Sequence, residues 1–302
     1  MTVVTPVIAA ERFSKSYGAA RGVVDLTFSV EPGEVFGYLG PNGAGKTTTI
    51  RTMLDLIRPS SGTITVFGLR PREDASAIHA RSGYLPGELA LYERMTAGGF
   101  LEAFGSFRGG IARDRVDTLA RRLDLDLTRT IRSLSHGNKQ KVGLVQAFAH
   151  EPELLILDEP TQGLDPLIQQ EFYAMVEEAR ARGATVFLSS HVMPEVERVC
   201  DRVAIIRDGR LVTVADIGEL KATALRRLEL HFDRPVPVDA FASLSSVRSA
   251  EAHGDVIRLT IQGILDPVVK EAAKHTVVSV MSEEPSLEEI FLAIYRDGTA
   301  GP

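Results

Sequence analysis

The sequence predicts an α/β fold: a mostly parallel sheet flanked by helices, carrying a helical insertion and followed by a small α+β unit. Three observations support this. From Val23 to Ala184, short apolar runs alternate with longer helix-like runs. Between about residues 70 and 150 helical patterns dominate. After about Leu220 the order of patterns becomes βαββαβ, that of a ferredoxin-like split motif.

Taken in order, "EVFGYL" (34–39) reads as a strand and "TTTIRTMLDLI" (47–57) as a helix, stopped by Pro59 and the turn "SSG". Helices are expected near 95–107, 112–123 and 137–149. "ELLILDE" (153–159) is a continuous apolar run bounded by Pro152 and Pro160, as in a parallel strand buried on both faces. Asp165-Pro166 opens a helix, with Asp165 as N-cap and Pro166 at the first position. Its apolar face is expected from Leu167, Phe172, Met175, Val176 and Ala179. "ATVFLSS" (184–190) is another buried strand, and "RVAIIRDGRLVTV" a hairpin turning at Asp208-Gly209. In the C-terminal part "LRRLELHF", "VRSAEAH", "DVIRLTI" and "TVVSVMS" read as strands, "PVDAFASL" and "DPVVKEAAKH" as helices. A last helix follows Ser286, where Ser286 and Glu289 form a capping box; its apolar face holds Leu287, Ile290, Phe291 and Ile294.

The 302 residues suffice for one large domain or two ordinary ones, and 44% hydrophobic content permits a packed core. With 34 basic against 40 acidic residues, a nucleic-acid-coating role is disfavoured. One cysteine, Cys200, excludes an intrachain disulfide and reads as a small buried residue near a helix end. The start lacks a signal-peptide pattern, and no stretch is long and apolar enough to span a membrane, so any membrane role is expected to run through a partner.

"GPNGAGKT" (40–47) matches the phosphate-loop pattern, with a strand before it and a helix after. The glycines let backbone N–H groups curl around phosphate oxygens, and the helix start adds partial positive charge. Lys46 is placed to reach the β- and γ-phosphates, and Thr47 to ligate Mg²⁺. A dinucleotide fingerprint fails, because Gly43-x-Gly45 is followed by Thr48 where a glycine is needed. "LLILDEP" (154–160) brings Asp158 to the C-terminal end of its strand as an Mg²⁺ ligand, with Glu159 next to it to polarise an attacking water. His191 follows the next strand; alone, such a histidine is more often a surface or satisfied core residue than a group reaching the γ-phosphate.

"GPNGAGKTT" (40–48), "LSHGNKQKV" (134–142), "LLILDEPTQGLDP" (154–166) and "SSHVMPEVE" (189–197) together resemble the nucleotide-binding subunit of an ATP-binding cassette (ABC) transporter, over about residues 7 to 220. The signature style and the ending "EPSLEEIFLAIY" (284–295) are similar to ATPases serving ABC-2 type permeases, including bacterial drug exporters of the daunorubicin-resistance kind. The resemblance implies a P-loop ABC ATPase core with an N-terminal antiparallel β subdomain over 1–220, a helical subdomain at about 70–150, and a C-terminal α+β domain over 221–302.

It further implies ATP and Mg²⁺ as cofactors. Tyr17 stacks on adenine; Gly40, Pro41, Asn42, Gly43, Ala44, Gly45, Lys46, Thr47 and Thr48 hold the nucleotide. Thr47 and Asp158 serve the metal, Glu159 is the catalytic carboxylate, and His191 the switch histidine, with Lys46 completing the catalytic set. Ser135, Gly137 and Asn138 contact ATP bound by a second nucleotide-binding subunit, and Asp165 lies at that dimer contact. The implied partner is a transmembrane permease of the ABC-2 type, touched near Gly87–Arg94 where Leu91 and Tyr92 are exposed; no nucleic acid is expected, and the chain sits at the cytoplasmic face of the membrane. The rivals are a soluble ABC-type ATPase acting on ribosomes or nucleic acid, an importer ATPase, and a phosphate-loop kinase. The last leaves "LSHGN" and His191 unexplained.

Two departures stand out. His136 replaces the first glycine of the usual Leu-Ser-Gly-Gly-Gln signature and Asn138 its glutamine. Gly87, followed by Glu88, occupies the place of a glutamine that in the family reaches Mg²⁺ and the attacking water.

Overall fold

The computed structural model describes residues 5–18, 20–284 and 286–290. The chain divides after Val214 into two compact units.

The first unit opens with an antiparallel sheet of β1 (Ile8–Tyr17), β2 (Ala20–Val30) and β4 (Ser61–Val66), in the order β2-β1-β4. The second sheet runs β5 (Ser82–Leu85), β6 (Leu154–Asp158), β7 (Thr185–Ser190), β3 (Val35–Leu39), β8 (Arg202–Arg207), β9 (Arg210–Asp216). Its first five strands pair in parallel. The two-residue turn into β9 puts Asp208 and Gly209 at φ 49° and 75°, the twist a tight hairpin needs.

Strands β3, β6 and β7 are buried along their whole length, which accounts for their unbroken apolar sequence. Register aligns Leu39 with Ser190 and Asp158 with Ser189. The phosphate loop, the Asp158-Glu159 pair and His191 therefore leave the sheet at one edge. Phe28 of the small sheet packs against Phe36, Tyr38 and Phe187 of the large one, with ring centroids 5.6–6.4 Å apart. Phe187 is fully buried in this cluster. Truncating it in Phe187→Ala is expected to lower stability by about 3–5 kcal/mol in urea unfolding, the range for a buried aromatic.

The helices are α1 (Lys46–Met53), α2 (Pro71–Arg81), α3 (Ala97–Ser106), α4 (Arg113–Arg122), α5 (His136–Phe148), α6 (Pro166–Ala181) and α7 (Met193–Val199). Three readings are corrected. The helix expected over 47–57 ends at Met53, because Asp55 turns left-handed at φ 53° and Leu56 and Ile57 N–H groups fold back to Arg51 O. On α6 the buried face is Ile168, Phe172, Met175, Val176 and Ala179; Leu167 is 79% exposed, one residue off that stripe. In the insertion Tyr92 is exposed, but Leu91 is half-buried. The insertion also contains α2, which the helical patterns missed. Cys200 caps α7 and is buried.

The second unit starts with α8 (Ile217–Thr223), then β10 (Leu225–Phe232), α9 (Asp239–Ala242), β11 (Val247–His253), β12 (Val256–Gln262), α10 (Asp266–Ala272) and β13 (Val277–Glu283). The all-antiparallel order β11-β12-β10-β13 is that of the split βαββαβ motif. Leu228, Leu230, Phe232, Phe241, Ile257 and Ile261 form its core. Ser286 accepts from Glu289 N–H at 3.2 Å, one half of the expected capping box; the Glu289 carboxylate faces Arg227 instead. Leu287 and Ile290 are buried, whereas Phe291 and Ile294 lie outside the described residues. Among the described residues no helix is long and apolar enough to cross a membrane.

Candidate functional site

The loop between β3 and α1 is shaped by its glycines. Gly43 and Gly45 take φ 81° and 106°, and a Cβ at Gly45 would stand 2.4 Å from Val23 Cγ1. Gly40 is equally confined: its Cβ would lie 2.4 Å from Ile206 O. Gly40 N–H donates to Ser190 O at 3.2 Å and Ala44 N–H to Pro41 O at 3.1 Å, so the loop is tied to the end of β7. Pro41, Asn42 and Gly43 are exposed, and α1 starts at Lys46 with no side-chain cap. The exposed loop thus leads into a helix N-terminus that no side chain caps, an arrangement suited to an anion.

Lys46 is 6% exposed. Its Nζ donates to Gly40 O at 2.6 Å and Pro41 O at 3.3 Å, and lies 3.1 Å from Glu159 Oε1. The other oxygen of that carboxylate, Oε2, is 2.7 Å from His191 Nδ1. Glu159 therefore stands between a lysine and a histidine. Its φ is 51°, a left-handed turn that swings the side chain out at the strand end, held by Glu159 N–H donating to Ser189 O at 3.1 Å. One residue earlier, Asp158 is 1% exposed; its Oδ2 accepts from Thr47 Oγ1 at 2.8 Å and its Oδ1 from Ser189 Oγ. A hydroxyl and a carboxylate oxygen this close form a hard, all-oxygen donor pair that fits Mg²⁺. Burial, then the Asp158 charge, push the Tyr84 hydroxyl up to about 12.

Gly87 packs on the same carboxylate: a Cβ there would lie 3.2 Å from Asp158 Oδ2, tighter than most real contacts. Glu88 is exposed.

The structure keeps the segment "LSHGN" apart from this cluster. Ser135 is the exposed N-cap of α5, its Oγ accepting from Asn138 N at 3.3 Å and Nδ2 at 3.0 Å. Gly137 is needed for packing as well, since its Cβ would be 2.3 Å from Gly163 O. His136 is exposed and borders Gly163. Asp165 caps α6, accepting from Leu167 and Ile168 N–H groups at 3.1 Å each. Tyr17, at the end of β1, is 45% exposed with Lys15 Nζ 5.3 Å from its ring centroid. Thr48 lies within α1, its carbonyl taken by Thr52 Oγ1 at 2.9 Å.

Three polar residues lie inside the quoted motif segments, but their roles here were not assigned from them. Ser189 touches both Asp158 and Glu159; its position in "FLSSH", polar at the end of an apolar strand, was the available clue. Gln140, 1% exposed, sends Nε2 to Glu159 O at 3.2 Å and Pro160 O at 3.1 Å, linking α5 to the backbone of the site. Glu195 accepts from Ser190 Oγ at 2.9 Å and from Thr161 Oγ1. Burial raises its carboxyl above the usual range, opposed by the two hydroxyl bonds. A cleft of about 470 Å³ beside Glu159 and His191 is bordered by Thr161, Gln162, Tyr173 and Glu195.

Comparison with known proteins finds relatives over nearly the whole chain. The family model described as ABC transporter matches residues 23–162. The bacitracin transport ATP-binding protein BcrA of Bacillus licheniformis is 34% identical over 304 residues, covering 98% of this chain and 99% of that protein. The linearmycin resistance ATP-binding protein LnrL of Bacillus subtilis is 32% identical, covering 94% and 97%. A solved ATP-binding subunit of an ABC transporter superposes with a TM-score of 0.66 at 32% identity, over 71% of this chain and 92% of that one.

Proposed function

The chain belongs to the ABC transporter family as an ATP-binding, ATP-hydrolysing subunit, and from that premise we propose that it powers a separate ABC-2 type permease that exports an antibiotic or lipid-like compound. The observation that carries the reading is the Glu159 carboxylate held between Lys46 and His191, one residue after the Asp158–Thr47 pair.

In this reading the loop amides and Lys46 bind the phosphates. Phosphate oxygens compete with Glu159 for Lys46, and as Lys46 turns to them Glu159 Oε1 is released to accept a proton from water. The water oxygen bonds to the γ-phosphorus, the bond to the ADP oxygen breaks, and inorganic phosphate leaves. His191 orients Glu159 through Nδ1 and is placed to contact the phosphoryl group. Thr47 and Asp158 would hold Mg²⁺, which when bound neutralises phosphate charge. Gly87 brings no side chain of its own to the Asp158 carboxylate it faces, where the family has a glutamine.

A second copy of the chain supplies Ser135, Gly137 and Asn138 to the bound ATP, with Asp165 near the contact. Ser135 caps a helix N-terminus at the surface, where its amides meet no acidic group of α5's first turn. Closing two copies on ATP and releasing them by hydrolysis moves the permease between its two states. The permease is contacted near Gly87–Arg94, where Tyr92 is exposed, at the cytoplasmic face of the membrane. The relatives named for bacitracin transport and linearmycin resistance support an antibiotic as the cargo.

The test is to express the chain with the permease that co-purifies with it in an antibiotic-sensitive host. Tolerance to bacitracin or linearmycin is expected to rise and to vanish with Glu159→Gln. No co-purifying permease, or equal tolerance for both forms, contradicts the proposal.

A further inference from the structure

Glu195 lies on α7, four residues after His191, and is 7% exposed. Its two oxygens hold two different segments. Oε2 accepts from Ser190 Oγ at 2.9 Å, and Ser190 Oγ in turn accepts from Val192 N–H at 2.9 Å, so both neighbours of His191 are fixed. Oε1 accepts from Thr161 Oγ1, two residues beyond Glu159. Thr161 and Ser190 are themselves buried. Among the described residues, the charged and titratable groups that act on Glu195 include Glu159, which disfavours its charge, His191, which favours it, the Tyr173 hydroxyl of α6 and the Cys200 thiol at the end of α7.

Among the described residues its hydrogen-bond donors are two neutral hydroxyls, a weak return for burying a carboxylate. An apolar side chain of similar volume would pack there without the desolvation penalty. What the carboxylate does that an apolar group cannot is join the loop after Glu159 to the strand end before His191. We propose that Glu195 is a positioning residue for hydrolysis, holding the 2.7 Å contact between Glu159 Oε2 and His191 Nδ1 in place by bridging Thr161 and Ser190. This rests on the roles assigned above to Glu159 and His191.

The experiment measures kcat and KM for ATP in the full chain for Glu195→Ala, Glu195→Gln and Thr161→Val, and for Glu195→Ala combined with Glu159→Gln. Glu195→Ala is expected to lower kcat by about tenfold or more, as small misplacements of catalytic groups do. KM is expected to stay within about twofold, since the phosphate loop is untouched. Glu195→Gln restores most of the rate, because an amide accepts from one hydroxyl and donates to the other. In the Glu159→Gln background Glu195→Ala produces no further fall, because it acts through Glu159. An unchanged kcat in Glu195→Ala overturns the inference, as does an equal proportional fall in both backgrounds. If Glu195→Ala does not fold, Thr161→Val and Ser190→Ala each cut one link; unchanged kcat in both overturns it equally. Full turnover by Glu159→Gln alone would instead defeat the underlying assignment of Glu159.

Discussion

Glu159→Gln lowers ATP turnover by roughly 10²- to 10⁴-fold, the range for loss of a general base, while ATP still binds. The amide keeps the shape of the carboxylate and can still accept from His191, so the strand end and the phosphate loop are not disturbed. It loses the capacity to take a proton from water, and it loses the ion pair with Lys46. Among the described residues Lys46 then keeps the Gly40 and Pro41 carbonyls as partners and turns to phosphate without a competing carboxylate. ATP affinity is therefore expected to hold or tighten. Equilibrium binding of a fluorescent ATP analogue and phosphate release, measured on the same preparation, check both halves. Wild-type phosphate release would show that the base lies elsewhere.

Ser135→Arg abolishes the hydrolysis that depends on chain concentration, yet leaves nucleotide binding by the single chain intact. Ser135 is exposed and its side chain bonds to Asn138, so an arginine there need not unfold α5. The cap is lost, at a cost of about 1 kcal/mol to the helix start. No polar contact joins Ser135 to Lys46, Asp158 or Glu159 among the described residues, so an effect on turnover has to come through another copy. Rate measured against protein concentration reads this directly. A first-order rate per chain that survives Ser135→Arg would remove the second copy from the reaction.

The phosphate loop was legible in the sequence because its chemistry is local: eight consecutive residues between a strand and a helix specify the turn and the cation. The same holds for Asp158 and Glu159, which sit where a buried strand ends, and for Asp165, whose capping role needs only its neighbours. Glu195, Ser189 and Gln140 were not legible. Their partners lie 34, 31 and 20 residues away; parallel pairing of β6 with β7 brings Glu195 and Ser189 to theirs, and Gln140 reaches its own from α5. The early end of α1 depends on Asp55 adopting a left-handed turn, which an apolar periodicity does not reveal. On α6 the choice between Leu167 and Ile168 is a rotation of a single residue about the helix, below the resolution of a periodic pattern. In the second unit the turn signals gave the order of elements, but strand order in the sheet came only from pairing.

The most direct test of a site completed by two copies is to mix two inactive variants. Lys46→Ala has a disabled phosphate loop and an intact Ser135; Ser135→Arg is the reverse. A mixed pair places the intact loop of one opposite the intact serine of the other. Each variant alone is expected to hydrolyse no ATP above background, and mixing them to restore part of the wild-type rate. No recovery on mixing, with both variants folded and able to associate, would contradict it.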